Sequence, residues 1–195
     1  MYKTLTILDW DDTLIPTKWI VNKSINLVND SGYSRYLIFF SKLDIIVHKI
    51  LTKLMRYGKV VIVTNAVTKW IKLSSRVLPN SRKLIKKSIP IVSAREVYQN
   101  TSNDMGIWKQ LTFKRLIKEH FSQEAHHVIS IGDAEYELNA LIKLQNRRVK
   151  QVLKSIKMIN APSYENLLNQ LELLYSKLDL VLKKEKNMDL EFKTI

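Results

Sequence analysis

The chain has 195 residues, no cysteine and a net charge of +14. That length suffices for one domain with a substantial core, and the absence of thiols excludes disulfides, thiol catalysis and cysteine zinc sites. There is no run of eighteen apolar residues to span a membrane. The apolar stretch before Asp9 is too short for a secretory signal, so a cytoplasmic protein is expected.

In chain order, residues 4–9 (TLTILD) alternate and end in an acid, which predicts a strand. Leu37, Phe40, Leu43, Val47, Ile50 and Leu54 recur at helical spacing over 34–57, with Gly58 after them as a helix stop. Residues 59–63 (KVVIV) read as a buried strand. A helix is expected from about Val67 to Leu78, ending at Pro79. Residues 89–92 (IPIV) read as a strand at an edge or a strand start, because Pro90 removes a donor. Trp108, Leu111, Leu116, Ile117 and Phe121 predict a helix over 108–121. A strand at 127–131, a helix from about Ala134 to Gln145, a strand within 149–159 and a long helix over 163–186 complete the series.

Alternating strands and helices predict an α/β fold, a Rossmann-like three-layer sandwich around a mainly parallel five-stranded sheet. No repeat or Gly/Ser linker divides the chain, so residues 1–195 are expected to form one domain with a charged tail after the last helix. In such sheets ligands bind at the carboxyl ends of the strands. Three of the five predicted strands end there in polar residues: Asp9, then Thr64-Asn65, then Gly132-Asp133.

The first of these ends is Asp9-Trp10-Asp11-Asp12-Thr13-Leu14. An acid at the end of a buried strand is costly to ionise unless a cation or donors await it. A turn there could bring Asp9 and Asp11 to one phosphoryl group, where one can attack and the other can protonate the leaving oxygen and then activate water. Capping and turn formation are the structural alternative for such a cluster.

A strand followed by DxDxT resembles the first motif of the haloacid dehalogenase superfamily. Thr64 in VVIVTNA is similar to its second motif, Lys109 in IWKQLTF to its third, and Gly132-Asp133-Ala134-Glu135-Tyr136-Glu137 to its fourth. The resemblance covers roughly residues 4 to 160. It implies an aspartate nucleophile, Asp9, an acid/base, Asp11, and a magnesium-dependent phosphatase. It further implies Mg²⁺ on Asp9, Asp133 and the backbone carbonyl of Asp11, with Glu137 fixing a metal-bound water. Lys109 would neutralise the phosphoryl group, with Lys114 as a competitor, while Thr64 and Asn65 would contact the phosphate. Receiver domains use similar residues in a different order, so they fit poorly.

Residues 15–33 are enough for a flap bearing Trp19 and Tyr33 but not for a folded cap, and 93–107 are fewer still. An open site is therefore expected, and open sites admit bulky substrates. Trp10, Trp19 and Trp70 lie near the predicted site loops, where burial competes with stacking on substrate. The four histidines, His48, His120, His126 and His127, have no metal-ligand spacing and receive no role. Basic clusters occur at Arg82-Lys83, Lys86-Lys87, Arg147-Arg148-Lys150 and Lys183-Lys184-Lys186, none interleaved with aromatics. A phosphoprotein, including one with phosphotyrosine, therefore ranks above a polynucleotide end or a nucleotide as substrate. The Lys-rich last helix makes an anionic membrane surface a further partner to consider. A binding module with vestigial chemistry is the non-enzymatic alternative.

Overall fold

The computed structural model describes residues 3–120, 126–145 and 150–193. Phe121 of the expected helix stripe, Arg147 and Arg148 of a basic cluster, and residue 149 at the start of an expected strand lie outside them. Six strands form one parallel sheet: β1 (Lys3–Leu8), β2 (Lys59–Thr64), β3 (Ile91–Ser93), β4 (His126–Gly132), β5 (Gln151–Lys157) and β6 (Met188–Glu191). Their order is β3-β2-β1-β4-β5-β6, so it reverses between β1 and β4. The register pairs Leu8 with Ile62 on one side and with Ile131 on the other. The ends of β1, β2 and β4 therefore lie level, and the crevice between β1 and β4 is where such sheets bind ligands.

Nine helices are described: α1 (Thr17–Asn22), α2 (Asp30–Tyr33), α3 (Leu37–Tyr57), α4 (Thr68–Ser74), α5 (Pro79–Ser88), α6 (Ala94–Tyr98), α7 (Met105–His120), α8 (Glu135–Ile142) and α9 (Tyr164–Lys183). Alternation along the strands sends neighbouring side chains to opposite faces. Leu8, Ile62, Ile129 and Ile131 pack with Phe40, Val47 and Ile50 of α3 and with Leu167, Leu171 and Leu178 of α9. Leu5, Ile7, Val61, Val63 and Val128 pack on the other face with Phe113 and Leu116 of α7 and Leu141 of α8. Burial on both faces is why β2 reads as an unbroken apolar run. The apolar stripe of α9 is spent on this packing.

Two expectations need correction. The sheet has six strands, not five, because part of the charged tail returns as β6 alongside β5. Pro79 does not only end a helix. After a 3₁₀ turn at 75–77 it opens α5, since its missing N–H and fixed φ suit the first helical position. Residues 15–33 form no folded cap, and Ile20, Ile25, Leu27 and Tyr33 anchor them in the core shared with α3. Among the described residues no large cap covers the strand ends. No helix among the described residues is long and apolar enough to cross a membrane.

Two buried charges hold helix ends. Lys154 of β5 is fully buried and donates to the carbonyls of Val181 (2.6 Å) and Leu182 (3.1 Å), filling acceptors that the C-terminus of α9 leaves open. Burial pushes its ammonium pKa down. Asp44 of α3 accepts from the backbone N–H groups of Asn80 and Ser81, each at 2.9 Å, and from the Ser81 hydroxyl at 2.7 Å. It therefore caps α5 from a different helix. Asp44→Ala is expected to cost about 2–3 kcal/mol, the scale of a lost cap plus stranded donors. Urea unfolding measures it, and a loss below about 0.5 kcal/mol, the low end for a cap, would remove this role.

Candidate active site

Asp9 follows β1 directly, and its N–H donates to the Ile131 carbonyl at 2.9 Å, which fixes it at the switch point. The chain then turns sharply. Leu14 N–H reaches the Trp10 carbonyl at 2.9 Å, and Asp12 sits at φ +53°, a left-handed conformation that Asp tolerates. The Asp12 carboxylate accepts from Lys18 N–H at 3.0 Å and so braces the start of α1. Burial pushes the Asp12 pKa up against that bond. This turn is what places Asp11 on the rim rather than in the core.

Lys109 lies in the second turn of α7 and is 1% exposed. Its Nζ meets Asp9 Oδ1 at 2.7 Å and Glu137 Oε1 at 2.6 Å, and donates to the Val63 carbonyl at 2.9 Å. Lys114 is exposed, so the cationic position belongs to Lys109. Glu137 folds back over the end of β4, where its other oxygen accepts from Ala134 N–H at 3.1 Å. Gly132 makes room for this, because a Cβ there would stand 2.6 Å from Glu137 Cγ. The GDxxxE spacing thus serves a close approach as well as an acid pair. Glu137, expected beside a metal-bound water, is seen here as the partner of Lys109.

Asp133 is buried at the end of β4. Burial pushes its carboxyl up to about 7, with Glu137 and Asp12 adding repulsion. Burial also pushes Asp9 up to about 8 against the pull of Lys109. Burial works to lower the Lys109 ammonium, but Asp9 and Glu137 outweigh it and hold the pKa above its usual value. One ammonium therefore faces the carboxyls of Asp9, Glu137 and Asp133. A divalent cation bound by Asp9 and Asp133 would add the positive charge that the cluster lacks. Among the described residues no group of three or more His, Asp or Glu side chains forms a metal cage. Mg²⁺ does not need one, because it binds through one or two carboxylates and keeps its waters.

Asp11 is held from the opposite side. Its Oδ1 accepts from Thr17 Oγ at 2.5 Å and from the Trp70 indole N–H at 2.6 Å. Its Oδ2 faces Thr64 Oγ at 3.3 Å, and Thr64 in turn accepts from Ala66 N–H. Thr64 thus joins the two halves of the site, for its neighbour Val63 holds Lys109. Asn65 reaches towards α7 instead, with Nδ2 3.4 Å from the Met105 carbonyl. Trp10 is fully buried and donates to Ser74 at 2.9 Å, so it cannot stack on a substrate. Trp19 packs among Tyr36, Phe39, Phe40 and Tyr164. Trp70 lies at the site, near where its position in the sequence puts it, but its hydrogen bond to Asp11 and that of Thr17 leave no distinctive mark in the sequence. The only signal for Thr17 was a hydroxyl six residues after Asp11, too common a feature to single out.

The chain matches no protein-family model, no curated protein and no solved structure. Its function has to be read from the side chains at this switch point. They offer a buried carboxylate with a fixed cation and a second, partly exposed carboxylate held by three donors.

Proposed function

We propose that the chain is a magnesium-dependent phosphatase of the haloacid dehalogenase type, acting on phosphomonoesters carried by a macromolecule. The observation that carries this reading is Lys109, buried between Asp9 and Glu137 where the sheet order reverses, with Asp133 on the neighbouring strand end. An Oδ of Asp9 attacks phosphorus and the P–O bond to the leaving group breaks. Asp11 gives that oxygen its proton, then takes one from the water that attacks the aspartyl phosphate. Inorganic phosphate leaves and Asp9 is restored. Lys109 balances the charge of the phosphoryl oxygens while its own position is set by Glu137 and the Val63 carbonyl. Asp9, Asp133 and the Asp11 carbonyl are the groups that would hold Mg²⁺, which supplies the neutralisation a carboxylate needs to approach a phosphate dianion. A large substrate is supported by the lack of a large cap among the described residues, which leaves the binding energy to come from a wider surface.

Phosphate release from p-nitrophenyl phosphate, with Mg²⁺ and with chelator, tests the reading. A vestigial binding module gives no release under either condition. A melting experiment tests the metal without relying on turnover. Mg²⁺ at one hundred times its Kd is expected to add about 2.7 kcal/mol, or roughly 5–10 °C in Tm for a domain of this size. Asp133→Ala should lose most of that shift. An unchanged shift would take Asp133 out of the metal site.

A further inference from the structure

The positive charge is not spread over the molecule. Between residues 31 and 95 stand fourteen Lys and Arg residues and one acid, Asp44, so this third of the chain carries +13 of the net +14. Asp44 is buried and spent on capping α5. From residue 65 to residue 95 there is no acid at all. That stretch is α4 and α5, which leave the carboxyl end of β2 and return to the start of β3. Lys69, Lys72, Lys83, Lys86 and Lys87 are exposed along it and none forms a salt bridge among the described residues, and the one carboxylate at the start of α4, Glu96, is held by Thr68 and feels the charge of Lys72. Arg76 is the exception, 3.8 Å from Asp30.

We propose that the exposed faces of α4 and α5 bind the backbone of a single-stranded nucleic acid and lead its phosphorylated end to the site. The last clause rests on the phosphatase reading, whereas the binding surface stands without it. Three observations favour this partner. An unmixed run of bases suits a polymer with a phosphate at every unit. The strip starts at the site itself, because Trp70 of α4 donates to Asp11. It also has the composition of a strand-binding surface, for Lys69-Trp70-Ile71-Lys72 sets a half-buried indole between two exposed lysines. That interleaving is absent from the other basic clusters, and it moves a polynucleotide above a phosphoprotein. A membrane fits less well, because neither α4 nor α5 exposes a large apolar side chain to insert.

Fluorescence anisotropy with the full chain and a labelled short oligothymidylate, with and without a 5′-phosphate, tests this. The comparison probes are an acidic phosphopeptide of equal charge and vesicles containing phosphatidylserine. Five phosphate contacts give a slope of log K against log salt of about −3.5. The triple variant Lys83→Gln, Lys86→Gln, Lys87→Gln should flatten it by about 2 and weaken binding, with p-nitrophenyl phosphate turnover unchanged. Equal binding by variant and wild type overturns the proposal, as does tighter binding of the peptide or the vesicles. A wild type that binds the oligonucleotide but releases no phosphate sinks the phosphatase reading and leaves the surface standing. One that turns over without binding does the reverse.

Discussion

Asp9→Asn is expected to abolish phosphate release, by on the order of 10⁴-fold or more, the scale of losing a nucleophile. An amide oxygen cannot form a stable ester with phosphorus. The fold should survive, because asparagine keeps an oxygen acceptor for Lys109 and fills the same volume. It also removes one acid from a cluster that shares a single ammonium. The stability consequence has a sign. Burial holds the Asp9 carboxyl at about 8 against 3.8 for an ordinary aspartate. The native state therefore binds a proton that the unfolded chain has released, and wild type loses stability as pH rises from about 4 through 8. Asparagine carries no such dependence. In chelator, Asp9→Asn should out-melt wild type at pH 8 and lose that advantage at pH 5. Wild-type turnover in this variant would remove Asp9 from the chemistry, whatever the melting curves show.

The strand ends were legible because an apolar run that stops at Asp, Thr or Gly-Asp marks a boundary between core and site. β6 was not, since Met188-Asp189-Leu190-Glu191 is short and mostly exposed, with a burial pattern too weak to separate it from a tail. α5 was hidden by Pro79, which is both a helix breaker and a helix starter. Lys109 stood out over Lys114 by its nearness to a helix start. Its contact with Val63 is tertiary and left no local trace. The partners of Asp11 were invisible for the same reason, for Thr17 and Trp70 come from α1 and α4 and meet only when the turn at Asp12 brings the chain back. The segregation of charge into residues 31–95 is readable in the sequence alone. Its meaning needed the fold, which puts α4 and α5 in series with the site.

Asp11→Asn is expected to lower kcat/KM by about 10²–10⁴-fold for an alkyl phosphate, the usual worth of an acid/base. The loss should be small for p-nitrophenyl phosphate, whose phenolate leaves without a proton. That contrast isolates the acid step, because kcat/KM reports events up to departure of the leaving group. The second step still needs a base, so with p-nitrophenyl phosphate the variant should release a burst of phenolate and then stall at the aspartyl phosphate. The hydrogen bonds distinguish the two oxygens. Oδ1 is filled by Thr17 and Trp70, whereas Oδ2 has only the longer contact to Thr64, so in the proposed mechanism the proton would travel on Oδ2. Trp70→Phe keeps a ring of similar shape and removes the donor. Asp11 then swings on a single short bond to Thr17, and misplacement of this kind costs up to about 10²-fold. The loss in Trp70→Phe should follow the same leaving-group dependence as Asp11→Asn, with the melting temperature near that of wild type. Equal losses in kcat/KM for both esters would make Asp11 a charge-setting group, and its three donors would then be scaffolding for the turn.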